Sequence, residues 1–181
     1  MTFGDFCGDG TQYLNVQLRP GEIHVAMEPT LIETLLGSCI SVCLYSIKDQ
    51  VGAMSHSVLP CPKTGLQRHD VRYVESAIGK MMDEMKGLGV TPDRMEAKVF
   101  GGAEMFHRSG HEIRFARIVG DGNTAAAKRF LDAKRIRLVS ECVGGNMGRK
   151  IIFNTATGVA LVRMFSHRLE DLSYGREGRV A

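Results

Sequence analysis

Cys39 follows a Gly-Ser pair at the head of an apolar run, in "TLLGSCISVCLYS" (34–46), and His56 sits in a second such run, "VGAMSHSVL" (51–59). A thiol and an imidazole are the two groups that nucleophilic acyl transfer needs, provided they can meet. Free cysteine titrates near ~8.5, so a sulfur that attacks as thiolate needs a neighbouring imidazole, a cation or a helix N-terminus. Gly37 lets the chain turn before Cys39, and the backbone N–H groups of Ser38 and Cys39 are then candidate donors to a developing oxyanion.

Whether the pair can meet is a question of hairpin register. "IKDQ" separates the two runs and reads as a hairpin connection. If those four residues are the loop, Cys39 opposes Val58 and His56 is its diagonal neighbour on the same face. If the loop is "SIKD", Cys39 faces His56 directly. Either register puts the two Cβ atoms within about 4.5 to 8 Å, whereas an odd-length loop sends them to opposite faces. Two other readings stay open. A strand cysteine is often only a small hydrophobe. Cys39, Cys43 and His56, with Cys61 close by in sequence, could also hold zinc, although no C-x-x-C pair is present.

The elements around this pair read as follows. Residues 1–20, rich in Gly, Asp and Thr, are expected to form a loose N-terminal arm, 21–168 a single domain and 169–181 a tail. "GEIHVAM" (21–27) alternates as a strand, and "LPCPKTG" is a loop. From Val71 to Leu88 apolar residues recur at three- and four-residue steps, predicting a helix capped by Asp70 and stopped by Gly87 and Gly89. Its methionine stripe reads as core packing. "MEAKVF" and "EIRFARIVG" (112–120) read as strands, and "TAAAKRFLDAKR" as a second helix capped by Asp121 or Asn123. "RLVSECV" and two strands joined by "NTATG" complete the chain. Strands linked mainly by hairpins, with two helices, predict an α+β fold: a mixed, mainly antiparallel sheet or sandwich with the helices packed on it.

Bulk composition narrows the function classes. The 181 residues are 44% apolar and 24% charged, ordinary for a globular domain. No run approaches the ~20 apolar residues of a membrane span, and the N-terminus lacks a signal-peptide pattern, so a cytoplasmic location is expected without direct membrane insertion. Five cysteines without framework spacing are expected as free thiols. A net charge of +3 with no aromatic-rich basic stripe argues against nucleic acid. Arg72, Arg149 and Lys150 read as solvated surface charge, or as contacts to an acidic partner. His69, His107, His111 and His167 have no evident partner and receive no role.

"LGSCISVCLYS", "VGAMSHSVLP", "RYVESAI", "AKVFGGAEMF", "GDGN" and "GGNMGRKIIFNTATGVALV" follow one another in an order and spacing that resemble the chemoreceptor glutamine deamidase family, CheD, over residues 21–165. The resemblance implies a cysteine amidohydrolase, a protein-glutamine glutaminase, acting on methyl-accepting chemotaxis receptors without metal or organic cofactor. It also implies a fold like that of deamidating bacterial toxins. By the same resemblance Cys39 is the nucleophile, His56 the base and Thr34 the residue that orients the imidazole. In some relatives that threonine stands one residue further from the cysteine, where this chain has Glu33; strand alternation puts positions 33 and 34 on opposite faces, so Thr34 can serve only if the backbone bends near Gly37. Some relatives bind the phosphatase CheC, which makes CheC a possible partner and a non-catalytic binding module the alternative function.

Overall fold

Ile40, Val42 and Leu44 alternate with Ser41, Cys43 and Tyr45, yet all seven positions from Ile40 to Ser46 are buried. A strand covered on both faces belongs to a middle layer. The computed structural model, which describes residues 10–62, 65–104, 110–166 and 179–180, places it there. This strand is β4 (Ile40–Ser46), flanked by β5 (Val51–His56) and β6 (Glu96–Gly101), with β2 (Glu22–Ala26) and β7 (Arg137–Val143) outside them. A second sheet runs in the order β1 (Leu14–Gln17), β3 (Thr30–Leu36), β8 (Gly148–Asn154), β9 (Ala160–Phe165), β10 (Arg179–Val180). Only the β1–β3 and β6–β7 pairs are parallel among the described strands.

Two helices, α1 (Val74–Gly87) and α2 (Gly110–Ala133), cover the free face of the β4 sheet. Ile40, Val42 and Leu44 pack with Ile78, Met81 and Leu131 in the helix-side core. Cys43 and Tyr45, one residue out of phase, pack with Ile32, Ile151 and Phe153 between the sheets. The period of two along one strand thus sorts its side chains into two cores. The result is α+β as expected, with helices, middle sheet and outer sheet in three layers.

The hairpin loop is Ile47–Gln50, because Ser46 pairs with Val51 and Cys43 with Met54. Gln50 takes a positive φ of 53°, and the Ser46 hydroxyl donates to Asp49 Oδ2 at 2.6 Å.

Several local expectations change. Residues 112–120 are helical: the run read as a strand is the first half of α2. Ala116, Val119, Gly120, Asn123, Ala127 and Leu131 recur at helical spacing through it, and a short apolar run cannot by itself separate the two periods. Asp121 and Asn123 are therefore interior to α2 and not its caps. Asp70 does not cap α1 either; the N-cap is Tyr73, and Asp70 accepts from the Arg72 backbone N–H and guanidinium. Leu14–Gln17, expected within a loose arm, forms β1 against β3, and Leu18 is buried. The alternation Leu14, Val16, Leu18 marks that strand beneath its polar composition. Cys7, His107, His167 and most of the tail lie outside the described residues.

Candidate active site

Register fixes the first relationship. The ladder beginning at Cys43–Met54 continues, without a change of register, to a bridge between Ile40 and Ser57. Cys39 therefore opposes Val58, and His56 opposes Ser41 one diagonal away, on the face that looks toward the outer sheet. Between the two stretches the strands separate slightly: the Val42 N–H donates to the Ser55 hydroxyl at 3.2 Å instead of to a backbone carbonyl. His56 is held from its other side by β2, where it pairs with Glu22.

The outer sheet supplies the next group. Thr30, Ile32, Thr34 and Leu36 of β3 are buried while Glu33 and Leu35 turn outward, where Glu33 pairs with Lys150 at 2.8 Å. Thr34 Oγ1 lies 2.7 Å from His56 Nδ1 and also 2.9 Å from the Leu18 carbonyl oxygen. A threonine hydroxyl has one hydrogen, and the Leu18 carbonyl can only accept, so that hydrogen points at Leu18. The contact with Nδ1 must then be Nδ1–H donating to Oγ1. Nε2 is left without a proton, and it is buried with no partner among the described residues. This is the tautomer of a base.

Electrostatics set the resting state. Burial pushes the Cys39 thiol up, against a smaller opposite pull from its own backbone N–H. Burial pushes the His56 imidazole down, opposed by the Leu18 carbonyl and by the Glu22 carboxylate. Desolvation disfavours whichever form is charged. Both directions favour the neutral thiol and the neutral imidazole. Cys39 is half-buried, whereas Cys43 lies in the inter-sheet core with its thiol pushed up to about 12 by burial.

The loop carrying Cys39 is pinned on all sides. The Gly102 N–H donates to the Cys39 carbonyl at 2.8 Å and the Ala103 N–H to the Gly37 carbonyl at 2.8 Å. Gly101, at φ 116°, lies so close that a Cβ would press into the Cys39 carbonyl oxygen. The "GG" of 101–102 thus permits a close backbone approach. Asn123 donates to the Ser38 and Val58 carbonyls at 3.1 and 3.2 Å. The Ser38 N–H has no backbone acceptor among the described residues.

Behind this loop lies Arg149, only 2% exposed. Its guanidinium donates to the carbonyls of Gly144 (2.5 Å) and Met147 (3.2 Å) and to Cys142 Sγ (3.3 Å). Gly144 in turn donates to the Gly101 carbonyl at 2.9 Å. The sequence reading of Arg149 as surface charge is corrected: it is an interior brace. Arg72 is exposed and paired with Asp70.

The zinc arrangement does not assemble. Cys43 is in the core, Cys61 is exposed beyond Pro60, and no cluster of three His, Cys, Asp or Glu suited to a metal occurs among the described residues. Among the same residues no helix is long and apolar enough to cross a membrane. Leu18 and Asn123 are the site's neighbours that sequence reading missed. A polar residue on the apolar stripe of α2 was the available signal for Asn123.

Comparison with known proteins adds a family. The model described as CheD chemotactic sensory transduction matches residues 58–164. A probable chemoreceptor glutamine deamidase CheD 2 of Geobacter sulfurreducens is 34% identical over 157 residues, 87% of this chain and 94% of its own. The protein named probable chemoreceptor glutamine deamidase CheD 1 in Anaeromyxobacter dehalogenans is 39% identical over 148 residues, 82% of this chain and 83% of its own. A third, from Thermococcus kodakarensis, is 36% identical and covers 85% of this chain and 95% of its own. The family-model match starts beyond His56, but an alignment covering 87% of the chain cannot miss residues 34–56. Among solved structures, the Neisseria meningitidis protein NMB0706 covers 76% of this chain at a TM-score of 0.38 and 11% identity, a likeness too loose to carry an argument.

Proposed function

The chain belongs to the CheD family, and from that membership we propose that it is a cysteine amidohydrolase converting selected glutamine side chains of methyl-accepting chemotaxis receptors to glutamate. The observation that carries this reading is the hydrogen-bond chain from His56 Nδ1 through Thr34 to Leu18. It presents a bare imidazole nitrogen on the sheet face that Cys39 shares.

In this reading Nε2 takes the proton of Cys39 as the sulfur attacks the carboxamide carbon. The C–S bond forms and the carbonyl electron pair moves onto oxygen. Backbone N–H groups of Ser38 and Cys39 are the donors for that oxyanion, a contribution of about 3 to 4 kcal/mol per donor in comparable sites. Collapse breaks the C–N bond, and the imidazolium gives its proton to the departing nitrogen, releasing ammonia. Water then attacks the thioester and passes a proton to His56. The leaving sulfur recovers that proton, and the side chain is now glutamate. Each turnover adds a negative charge to a receptor helix, which is how the chemistry would bias signalling.

The substrate partner of this reading is the receptor's cytoplasmic helical region, with the reaction in the cytoplasm. Docking to the phosphatase CheC belongs to the same proposal. Intact mass of a receptor cytoplasmic fragment tests it, since each amide converted to acid adds about 1 Da. Wild-type protein should raise the mass and release ammonia; Cys39→Ala and His56→Ala should not. Turnover retained in Cys39→Ala overturns the nucleophile assignment. Receptor binding with no mass change, even in the wild type, returns the non-catalytic binding module.

A further inference from the structure

Ile40 and Ser57 exchange both backbone hydrogen bonds, at 2.9 and 2.8 Å. In an antiparallel ladder the hydrogen-bonded pairs recur every second residue, so the next rung in this register is Ser38 with Leu59. That rung is absent. The N–H groups of Val58 and Leu59 both donate to the Arg72 carbonyl, at 2.8 and 3.0 Å, which draws this strand end toward the segment before α1. Ser38, the residue before the sulfur, is left with a carbonyl that has no ladder donor.

Asn123 fills the place. It projects from α2, wholly buried, and its Nδ2 donates to both the Ser38 and the Val58 carbonyls. Two carbonyl acceptors fix the amide's orientation, because only the NH2 end can serve them. The Oδ1 end is buried with no donor among the described residues. A buried acceptor without a partner lowers stability, and asparagine is a poor residue for a helix interior. Alanine, used at 126 and 127 on the same stripe, would suit the helix better. The depth of α2 at this point is set by Gly120, where any Cβ would meet the Gly102 carbonyl at 2.6 Å.

We propose that Asn123 is a positioning residue: its amide replaces the missing rung and fixes the chain that carries Cys39 against the chain that carries His56. The proposal rests on the reading of Cys39 as nucleophile, but its test does not need a receptor. Without Asn123 the Cys39 loop loses its only side-chain tie to the opposing strand among the described residues. The sulfur should then become more accessible to water.

The experiment is the rate of Cys39 alkylation by iodoacetamide against pH, in a background where the other four cysteines are serine or alanine, for wild type, Asn123→Ala, Asn123→Ser and Asn123→Asp. Met85→Ala, a core cavity on α1 far from the loop, is the control for lost stability. Asn123→Ala should move the alkylation midpoint down toward the ordinary thiol range, whereas Asn123→Asp sets a carboxylate beside Ser38 that opposes this fall. Asn123→Ser, which keeps one donor, should move it less and serves if the others fail to fold. Met85→Ala should leave it in place. With receptor fragment present, Asn123→Ala should lower kcat about ten- to hundred-fold with KM little changed, as displacement of a reacting group does. An unchanged midpoint in folded Asn123→Ser or Asn123→Ala overturns the proposal. If wild type does not deamidate the fragment at all, the proposed function fails, while the midpoint still reports on Asn123.

Discussion

Thr34 and His56 come from different sheets and meet at 2.7 Å, Oγ1 to Nδ1, in the seam between them. The Leu18 carbonyl completes the chain and decides which nitrogen keeps its proton. The residue that follows β1, in a segment expected to be a loose arm, therefore sets the tautomer of the imidazole.

Thr34→Val keeps the shape and removes the acceptor. The buried Nδ1–H loses its partner, at about 1 to 3 kcal/mol of stability, and the imidazole is free to adopt the other tautomer. Turnover should fall about 100-fold or more, on the scale of lost general-base catalysis. Thr34→Ser should stay within about tenfold of wild type. Nitrogen-15 spectra of His56 check the cause: the wild type should show Nδ1 protonated and Nε2 bare, a pattern that Thr34→Val loses.

The resting pair should be neutral. Burial raises the Cys39 thiol and lowers the His56 imidazole, so alkylation of Cys39 in the free protein should climb only above the ordinary thiol value of about 8.5. A plateau of fast alkylation between about pH 5 and 7, the mark of a preformed thiolate–imidazolium pair, would refute the neutral pair.

Stability should fall at both ends of the pH scale. Below about 6.5 the unfolded chain protonates its histidine while folded His56, lowered by burial and partly offset by Glu22, stays neutral. The unfolded state then binds more protons, and stability is lost on acidification down to the folded value. Above about 8.5 the unfolded thiol ionises while folded Cys39 holds its proton, so stability is lost again as pH rises. Denaturant midpoints across pH should show His56→Gln with a shallower acid limb and Cys39→Ala with a shallower alkaline one.

Gly101→Ala forces a side chain into the left-handed region and against the Cys39 carbonyl. Such strain costs about 1 to 3 kcal/mol before any clash is counted. Thermal unfolding should register the loss, and turnover should fall in whatever fraction remains folded. Wild-type stability and activity together would show that this backbone contact is dispensable.

Sequence alone carried the hairpin a long way. Either four-residue loop, "IKDQ" or "SIKD", put His56 and Cys39 on one face, the structure selects the first and so the diagonal pairing, and the strand limits 40–46 were legible from their apolar run. What it could not carry was contact between layers. Thr34 reaches His56 because two sheets stack, and no periodicity along either strand encodes that approach. Arg149 had the composition of a surface charge in "GGNMGRK"; only the carbonyls gathered around it reveal an interior role. The misread strand at 112–120 had a physical cause as well, since four or five apolar residues satisfy both periods until the helix continues past them.

Burial pushes the half-buried Cys39 thiol up, and that direction bears on how the resting protein meets oxidants. Oxidants and stray disulfides react with ionised sulfur, the form that burial disfavours here. Chemical damage is thereby discouraged by the same desolvation that slows spontaneous attack.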